Sequence, residues 1–363
     1  MKHIKRRFFH RLTLGDIIPE LMEKYQKTII FTKTPLTRYF RYEDKFQIYP
    51  AYLDNMPITA LQEHYPIILE YYIEDDEIIT PEMDIEGLDD LRTLTATTKT
   101  KQDQILNLLT LFTNHHFFRY SDLTGNWGMP ILKENPGEEA NEWSSKWCWP
   151  MFHWPGLPEQ LKITEFTDIT QKYPRVTIVP FLEYYQHNPN YDTDKNRPIT
   201  FPNNTTLGLK AYYSLNADTR SIIDDAISHS VSAIELKKMK KTLSVISAFT
   251  AIETMVNLEN KDFIPKKCEC CGQLQFKVSK HYRDFLLKYI GDNQNNKKKF
   301  NNLYGLRSKI VHTGMKFKTE YLWNDLPKDE KHKEFIDYLE VILSSKMAII
   351  NWLIINDQNN NVA

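Results

Sequence analysis

The sequence predicts two domains, an N-terminal α+β domain followed by an all-α helical bundle. Its 363 residues exceed what a single small domain usually needs. Short β-rich runs and helical patterns are mixed as far as residue 204, whereas helical periodicity dominates afterwards. Residues 188–206 lie between the two patterns and are rich in Asn, Asp, Pro and Thr, as is typical of a linker. We therefore place the domains at residues 1–204 and 205–363.

In the N-terminal domain, residues 27–31 and 175–182 are predicted strands, and the apolar spacing over 105–112 predicts a helix. Five of the seven tryptophans fall in residues 125–154 among prolines and glycines. This aromatic stretch is either a loop packed on a core or a surface on which bases or a ligand could stack. The domain is a candidate sensor or regulator whose trigger the sequence does not identify.

Apolar residues recur at helical spacing in four segments of the C-terminal domain. Asp218 can cap the first helix, and an insertion containing a short amphipathic helix separates the second from the third. The apolar positions are Ile223, Ile227, Val231 and Ile234, then Leu243, Ile246, Phe249 and Val256, then Tyr282, Phe285, Leu286 and Tyr289 in the insertion, then Leu303, Leu306 and Ile310, and finally Phe335, Leu339, Ile342 and Leu353.

The overall composition fits a soluble globular protein in a reducing cytoplasm. Forty-six basic residues nearly balance forty-seven acidic ones, so any contact with nucleic acid must come from a local patch. Four cysteines, three of them crowded together, do not form a disulfide framework. The N-terminus lacks the apolar core of a signal peptide, and polar residues interrupt the apolar stretch 338–355, which predicts a packed helix and no membrane partner.

The helix predicted near residue 307 carries the residues best suited to chemistry. At 100° per residue, Ser308 and His312 share one face, and the long side chain of Arg307 can reach beside them. Gly314 is expected to end the helix, which leaves His312 near the negative end of the helix dipole. That position favours a protonatable imidazole.

These residue types suit the cleavage of RNA without a metal ion. A histidine can remove a proton from the 2′-hydroxyl or donate one to the 5′-oxygen, and an arginine can stabilise the charge on the pentacovalent phosphate. Taken alone, the spacing of Arg307 and His312 is a weak signal and favours a structural pair, with the arginine paired to a carboxylate and the histidine capping carbonyl groups.

The surrounding sequence resembles a known family. Residues 303–314 read Leu-Tyr-x-x-Arg-Ser-x-Ile-Val-His-x-Gly, which resembles the R-x4-6-H motif of the HEPN superfamily and in particular its Apea-like branch. Residues 247–253, Ser-Ala-Phe-Thr-Ala-Ile-Glu, are similar to the alanine-rich second helix of that branch, and residues 268–272 to its cysteine-containing insertion. The resemblance covers roughly residues 205–355.

The resemblance implies an RNA-cleaving homodimer in which two Arg/His helices meet in one composite site. The implied products carry a 2′,3′-cyclic phosphate or 3′-phosphate and a 5′-hydroxyl. The implied setting is an antiphage effector or toxin-like stress response in bacteria, with catalytic Arg307, Ser308 and His312. The alternative is an RNA-binding or scaffolding HEPN protein that does not cut.

Two further residues belong to the expected site. Glu253 interrupts an apolar helical face, so it is expected to pair with Arg307, either as a purely structural ion pair or to orient the guanidinium. Tyr304 lies one turn before Ser308 and either lines the site or packs as an ordinary aromatic residue.

Lysines and cysteines near this helix offer two weaker predictions. Lys297, Lys298, Lys299 and Lys309 could hold RNA phosphates, although the first three could also belong to a solvated loop over 291–302. Cys268, Cys270, Cys271 and His281 could form a structural zinc site, since Cys268 and Cys271 have the C-x2-C spacing of a zinc knuckle. A closed site needs four ligands, and this count favours a metal-free reduced loop, so no cofactor is expected.

Overall fold

The computed structural model describes residues 24–51, 64–79, 89–119, 163–186, 196–267, 274–275, 277–321 and 325–360. These residues group into two compact units. The first, the sheet unit, is drawn from Met1–Ile105, Phe118–Val176 and Thr193–Ile199. The second, the helical unit, is drawn from Leu106–Phe117, Thr177–Asp192 and Thr200–Ala363. The described chain is thus a small antiparallel sheet region followed by a largely helical region.

The sheet unit is built on four antiparallel strands in the order β1-β4-β3-β2. Their bounds are β1 Tyr25–Thr32, β2 Phe40–Tyr42, β3 Phe46–Pro50 and β4 Tyr65–Tyr72. The predicted strand at 27–31 lies within β1. Strand β4 is central, and its run of large apolar residues is buried on both faces, as expected for a covered central strand.

Glu70 is the charged exception inside β4, with no exposed surface. Its carboxylate accepts hydrogen bonds from Gln47 Nε2 at 2.7 Å, from the Tyr49 hydroxyl at 2.6 Å and from Thr167 N at 2.9 Å, and Lys27 Nζ lies 3.3 Å away. Burial alone would raise the pKa of Glu70, but the hydrogen bonds from Thr167, Tyr49 and Gln47 outweigh it and the pKa is lowered. Glu70 therefore ties β3 to the segment around Thr167.

Eight α-helices occur in the described ranges. They are α1 Asp89–Phe112, α2 Phe181–Gln186, α3 Thr205–Tyr213, α4 Ala217–Leu236, α5 Lys241–Glu259, α6 Val278–Ile290, α7 Gln294–Thr313 and α8 Lys328–Asn360. Two short strand pairs accompany them, parallel β5 Ile178–Val179 with β6 Phe201–Pro202 and antiparallel β7 Lys266–Lys267 with β8 Leu274–Gln275. The first part of α1 belongs to the sheet unit and its last residues to the helical unit.

Helix α8 is the central helix of the helical unit and packs against α3, α4, α5 and α6. By length and composition Lys328–Asp357 could cross a membrane, but 67% of its most apolar window is buried inside the structure, which fits the core helix of a soluble protein. Polar contacts fix its packing. Ser345 hydrogen-bonds Ser230 at 3.2 Å, and the Glu259 carboxylate accepts from Trp352 Nε1 and the Tyr289 hydroxyl, both at 3.0 Å.

Lys346 of α8 is a lysine with only 1% of its surface exposed. Its ammonium donates to the Thr113 carbonyl, to the Thr110 carbonyl at 3.3 Å and to Asn114 Oδ1 at 3.5 Å, so it holds carbonyl groups at the C-terminal end of α1. Burial lowers the pKa of Lys346 to about 7. The helical unit therefore contains a titratable group in its core.

Several helices differ in detail from the prediction. Helix α4 is capped by Asn216, whose side chain accepts from Thr219 N at 2.9 Å, and Asp218 lies inside the first turn. Leu243 and Phe335, which were predicted on apolar faces, are 48% and 44% exposed; Leu243 lies in the first turn of α5 and Phe335 is the eighth residue of α8. All four apolar residues predicted for the insertion helix are buried in α6.

The predicted strand at 175–182 is shorter than expected. Only Ile178–Val179 is extended, because α2 begins after Pro180, whose carbonyl accepts from Tyr184 N at 2.9 Å. Among the described residues, 106–117 and 177–186 also belong to the helical unit, so the two units do not meet at a single point near residue 204. Phe112 and Tyr184 are buried there, and their contacts are distant in sequence: Gly208 lies against the Phe112 ring, and Asn114 N donates to the Tyr184 hydroxyl.

Candidate active site

Helix α7 carries the candidate site, and its ends are well defined. Asn293 caps the N-terminus by accepting from Asn296 N at 2.9 Å. Gly314 ends the helix with φ of 67°, and its N–H donates to the Ile310 carbonyl at 3.1 Å. Leu303 and Ile310 are buried as predicted, whereas Leu306 is only half-buried. The opposite edge of the helix is left for polar side chains.

Arg307 forms the predicted ion pair with Glu253 of α5. Its Nε lies 2.6 Å from Glu253 Oε1 and its Nη2 lies 3.2 Å from Oε2, which is the two-point geometry of a guanidinium facing a carboxylate. The Arg307 and Glu253 side chains are 18% and 29% exposed. The hydrogen bond from Glu253 raises the pKa of Arg307 further above its ordinary value. The guanidinium is therefore a permanent and oriented cation.

His312 lies beside the free edge of that guanidinium. Arg307 Nη1 is 3.5 Å from His312 Nε2, and the imidazole is exposed in the last turn of α7. Ser308 is half-buried on the same helix, and within the described ranges no residue hydrogen-bonds its hydroxyl. The structure thus brings together Arg307 and His312 as predicted, with Glu253 behind the arginine.

Two tyrosines stand next to the ion pair, and one of them was missed as a site residue. The Tyr304 and Tyr282 rings are 5.4 Å apart, and Tyr282 is 1% exposed. The Tyr282 hydroxyl is buried and has no hydrogen-bond partner in the part of the chain that the structure describes. Burial raises the pKa of Tyr282 far above its ordinary value, so the phenol stays neutral. Sequence spacing identified Tyr282 only as a core position of its helix.

The lysine run lies within α7 itself, since the helix begins at Gln294 and not after a loop ending at residue 302. Lys297 pairs with Asp292 at 2.8 Å and Lys299 with Glu340 at 3.5 Å. Lys298 and Lys309 are exposed. The run is helical because Asn293 supplies a side-chain cap that starts the helix before the lysines.

The cysteines of the predicted zinc site, Cys268, Cys270 and Cys271, lie outside the described residues. His281 is described, and its ring contacts Phe263 edge-on with centroids 4.4 Å apart. Among the side chains that are described, no group of three or more His, Cys, Asp or Glu residues is placed to hold a metal ion.

The geometry therefore combines an oriented cation, an adjacent exposed imidazole and a carboxylate that holds the cation in place. Such a set can bind an anion and exchange a proton with it, as phosphodiester chemistry requires. Comparisons of the chain with family models, with curated proteins and with solved structures find no match.

Proposed function

We propose that this protein is a metal-independent endoribonuclease of the HEPN type. The observation that carries the proposal is the 3.5 Å approach of Arg307 Nη1 to His312 Nε2 while Glu253 occupies the other edge of the guanidinium. The resemblance of residues 303–314 to the Arg/His motif supports the same assignment.

In the proposed reaction the 2′-oxygen of a ribose attacks the adjacent phosphorus. A new P–O2′ bond forms and the P–O5′ bond breaks, which gives a 2′,3′-cyclic phosphate and a 5′-hydroxyl. One imidazole accepts the proton of the 2′-hydroxyl, and an imidazolium donates a proton to the departing 5′-oxygen. In a homodimer with a composite site, the two copies of His312 supply these two roles.

Arg307 is assigned to the transition state. Glu253 engages Nε and Nη2, which leaves the N–H groups of Nη1 to face the phosphate beside His312. Donors fixed before the reaction stabilise developing charge without reorganising, and removing one such donor slows an enzyme by about 10²–10³-fold. The ion pair is the proposed reason that the arginine points to the reacting phosphate.

Lys298 and Lys309 are the first candidates to hold neighbouring phosphates. Both are exposed, and in the described ranges neither has a carboxylate partner, whereas Lys297 and Lys299 are already paired. Ser308, half-buried on the same helix, is proposed to contact the substrate from beside His312. We place the activity in the bacterial cytoplasm, as an effector of antiphage defence or of a toxin-like stress response.

The test is incubation of the purified full chain with total RNA in the presence of EDTA, followed by mapping of cut sites and end groups. We expect 5′-hydroxyl ends, and we expect His312→Ala and Arg307→Ala each to lower the rate about 100-fold or more. Val311→Ala is the matched control, since Val311 is 47% exposed and adjacent to His312. Cleavage that disappears on chelation, or that survives in His312→Ala, contradicts the proposal.

The second candidate is an RNA-binding or scaffolding protein with the same bundle. The two-point pairing of Arg307 with Glu253 favours it, because the same geometry serves as a purely structural ion pair. This candidate predicts that wild type and His312→Ala bind RNA equally and that neither cuts it.

A further inference from the structure

A cleft of about 310 Å³ lies on the sheet unit. The proposed ribonuclease chemistry does not use it. Its lining includes one aromatic residue, two arginines, three acidic residues and one buried amide. The volume is at the lower end of the range for small-molecule sites, about 300–1,000 Å³.

The sheet brings these residues to one face. Arg41 of β2 and Tyr39, the residue just before it, alternate with buried Phe40 and Tyr42, so their side chains lie on the same side. Arg41 pairs with Gln47 across the β2–β3 register, which makes the two side chains neighbours. An isolated parallel bridge joins Tyr39 to Arg175 and brings the second arginine alongside.

Gln47 contributes a buried acceptor without a donor. It has no exposed surface, and its Nε2 donates to Glu70 Oε2 at 2.7 Å and to the Thr167 carbonyl at 3.0 Å. Because a carboxylate with a lowered pKa only accepts hydrogen bonds, this contact fixes which end of the amide carries the oxygen. Gln47 Oε1 has no partner in the described part of the chain, so the wall of the cleft contains an unsatisfied polar atom.

The charged groups of the cleft are only partly neutralised by one another. Arg41 donates to the Glu43 carbonyl at 3.0 Å and to Asp44 Oδ1 at 2.7 Å. Arg175 is exposed, and no described carboxylate pairs with its guanidinium. Asp168 receives Thr170 N at 3.1 Å and the Thr170 hydroxyl at 2.8 Å, both on Oδ1.

The hydrogen bonds from Thr170 lower the pKa of Asp168, so its carboxylate is ionised at neutral pH. Its second oxygen, Oδ2, has no donor from the described residues. Three acidic residues against two arginines leave the cleft with a small excess of negative charge. A ligand rich in phosphate would be repelled, whereas a neutral ring with adjacent donors and acceptors is matched on both sides.

We propose that this cleft binds a guanine base presented by an uncharged nucleoside. Arg175 would donate two hydrogen bonds to O6 and N7, which is how arginine commonly reads guanine. Asp168 Oδ2 would accept from the N1–H and N2–H donors. The half-buried Tyr39 ring would stack on the base. Among the common bases, only guanine combines two adjacent acceptors, O6 and N7, with two adjacent donors, N1–H and N2–H.

The experiment is calorimetric titration of the full chain with guanosine up to ~1 mM, beside adenosine and GTP. We expect guanosine to bind, adenosine to bind at least about tenfold more weakly, and GTP to bind no more tightly than guanosine. Absence of binding by guanosine overturns the proposal, as does equal binding of adenosine or tighter binding of GTP.

Variants test the assigned contacts. Arg175→Ala and Asp168→Asn are each expected to weaken guanosine binding about tenfold or more. Lys172→Ala removes an exposed cation that does not line the cleft, and it is expected to leave affinity unchanged. Unaltered affinity in both Arg175→Ala and Asp168→Asn rejects the assignment, with circular dichroism confirming that each variant folds. His312→Ala should bind guanosine normally, so this result is independent of the ribonuclease proposal.

Discussion

Arg307 divides its N–H donors between Glu253 and the space beside His312. The first contact determines where the second can be made, because a planar guanidinium held at two atoms cannot rotate freely. A carboxylate that is less than a third exposed can therefore influence the proposed reaction without touching the substrate.

We expect Glu253→Gln to separate this positioning role from simple stability. The glutamine presents one oxygen and one NH₂ group, and the NH₂ group opposes the guanidinium. RNA cleavage should fall about tenfold, ~1.4 kcal/mol in activation free energy, and the free energy of unfolding should fall by about 1 kcal/mol. Single-turnover cleavage and urea denaturation measure the two effects.

Glu340→Gln is the control. Glu340 of α8 pairs with Lys299, which lies on α7 like Arg307, but the distance between the charged atoms is longer, 3.5 Å. It should change neither quantity by more than a few tenths of a kcal/mol. Wild-type cleavage by Glu253→Gln would show that the pair is structural only.

At the scale of elements, two helices of the helical unit contain an internal glycine in opposite surroundings. A Cβ added at Gly208 of α3 would overlap the buried ring of Phe112, whereas a Cβ added at Gly305 of α7 would meet nothing within 4 Å. Gly208 thus permits close packing between α3 and the end of α1. Gly305 only weakens its helix.

Alanine at the two positions should therefore have opposite effects on stability. Gly208→Ala is expected to lower the free energy of unfolding by about 1–3 kcal/mol through overpacking. Gly305→Ala is expected to raise it by about 1 kcal/mol through helix propensity. Urea denaturation followed by far-ultraviolet circular dichroism measures both, and a stabilised Gly208→Ala would contradict the packing at Phe112.

At the scale of the whole molecule, the buried ammonium of Lys346 links folding to pH. Its pKa is about 7 in the folded protein, against an ordinary value of 10.5. Between these values the unfolded chain binds more protons than the folded one, so the free energy of unfolding rises with pH. Below about pH 7 both states are protonated and the full cost of burial is present.

We expect Lys346→Met to remove this dependence. Relative to the variant, the wild-type protein should gain up to about 1.4 kcal/mol per pH unit between pH 7 and 10. Lys331→Met changes an exposed lysine on the same helix, and its free energy of unfolding should depend on pH as that of the wild-type protein does. If the free energy of unfolding depends on pH in the same way for the wild type and Lys346→Met, the Lys346 ammonium is not desolvated in the folded state.

Some of these features could be predicted from sequence because they depend on local spacing. The α6 residues from Tyr282 to Tyr289 recur at helical intervals and are buried. The Arg307–Glu253 pair could be predicted because a carboxylate on an apolar helix face needs a partner. The HEPN assignment and the roles of Ser308 and the lysines stay predictions.

Other features depend on contacts that no local pattern encodes. The oxygen atoms around Lys346 belong to Thr110, Thr113 and Asn114, which precede it by more than 230 positions. In the sequence, Lys346 was therefore only a polar interruption in an apolar helix. The proximity of Tyr282 to Tyr304 also depends on how α6 meets α7. The start of α7 was misjudged because its first turn is polar on every side, and a single asparagine cap decides it.

The contacts that hold α8 in place join residues far apart in the chain. Contacts that secure it join Ser230 to Ser345, 115 positions apart, and Glu259 to Trp352, 93 apart. Contacts between residues so far apart in sequence slow folding. During translation, the segments bearing Glu253, Arg307 and His312 leave the ribosome before the helix that completes their bundle. A nascent chain would therefore carry these side chains without the packed helix that completes their bundle, and the proposed activity would require that α8 has been synthesised.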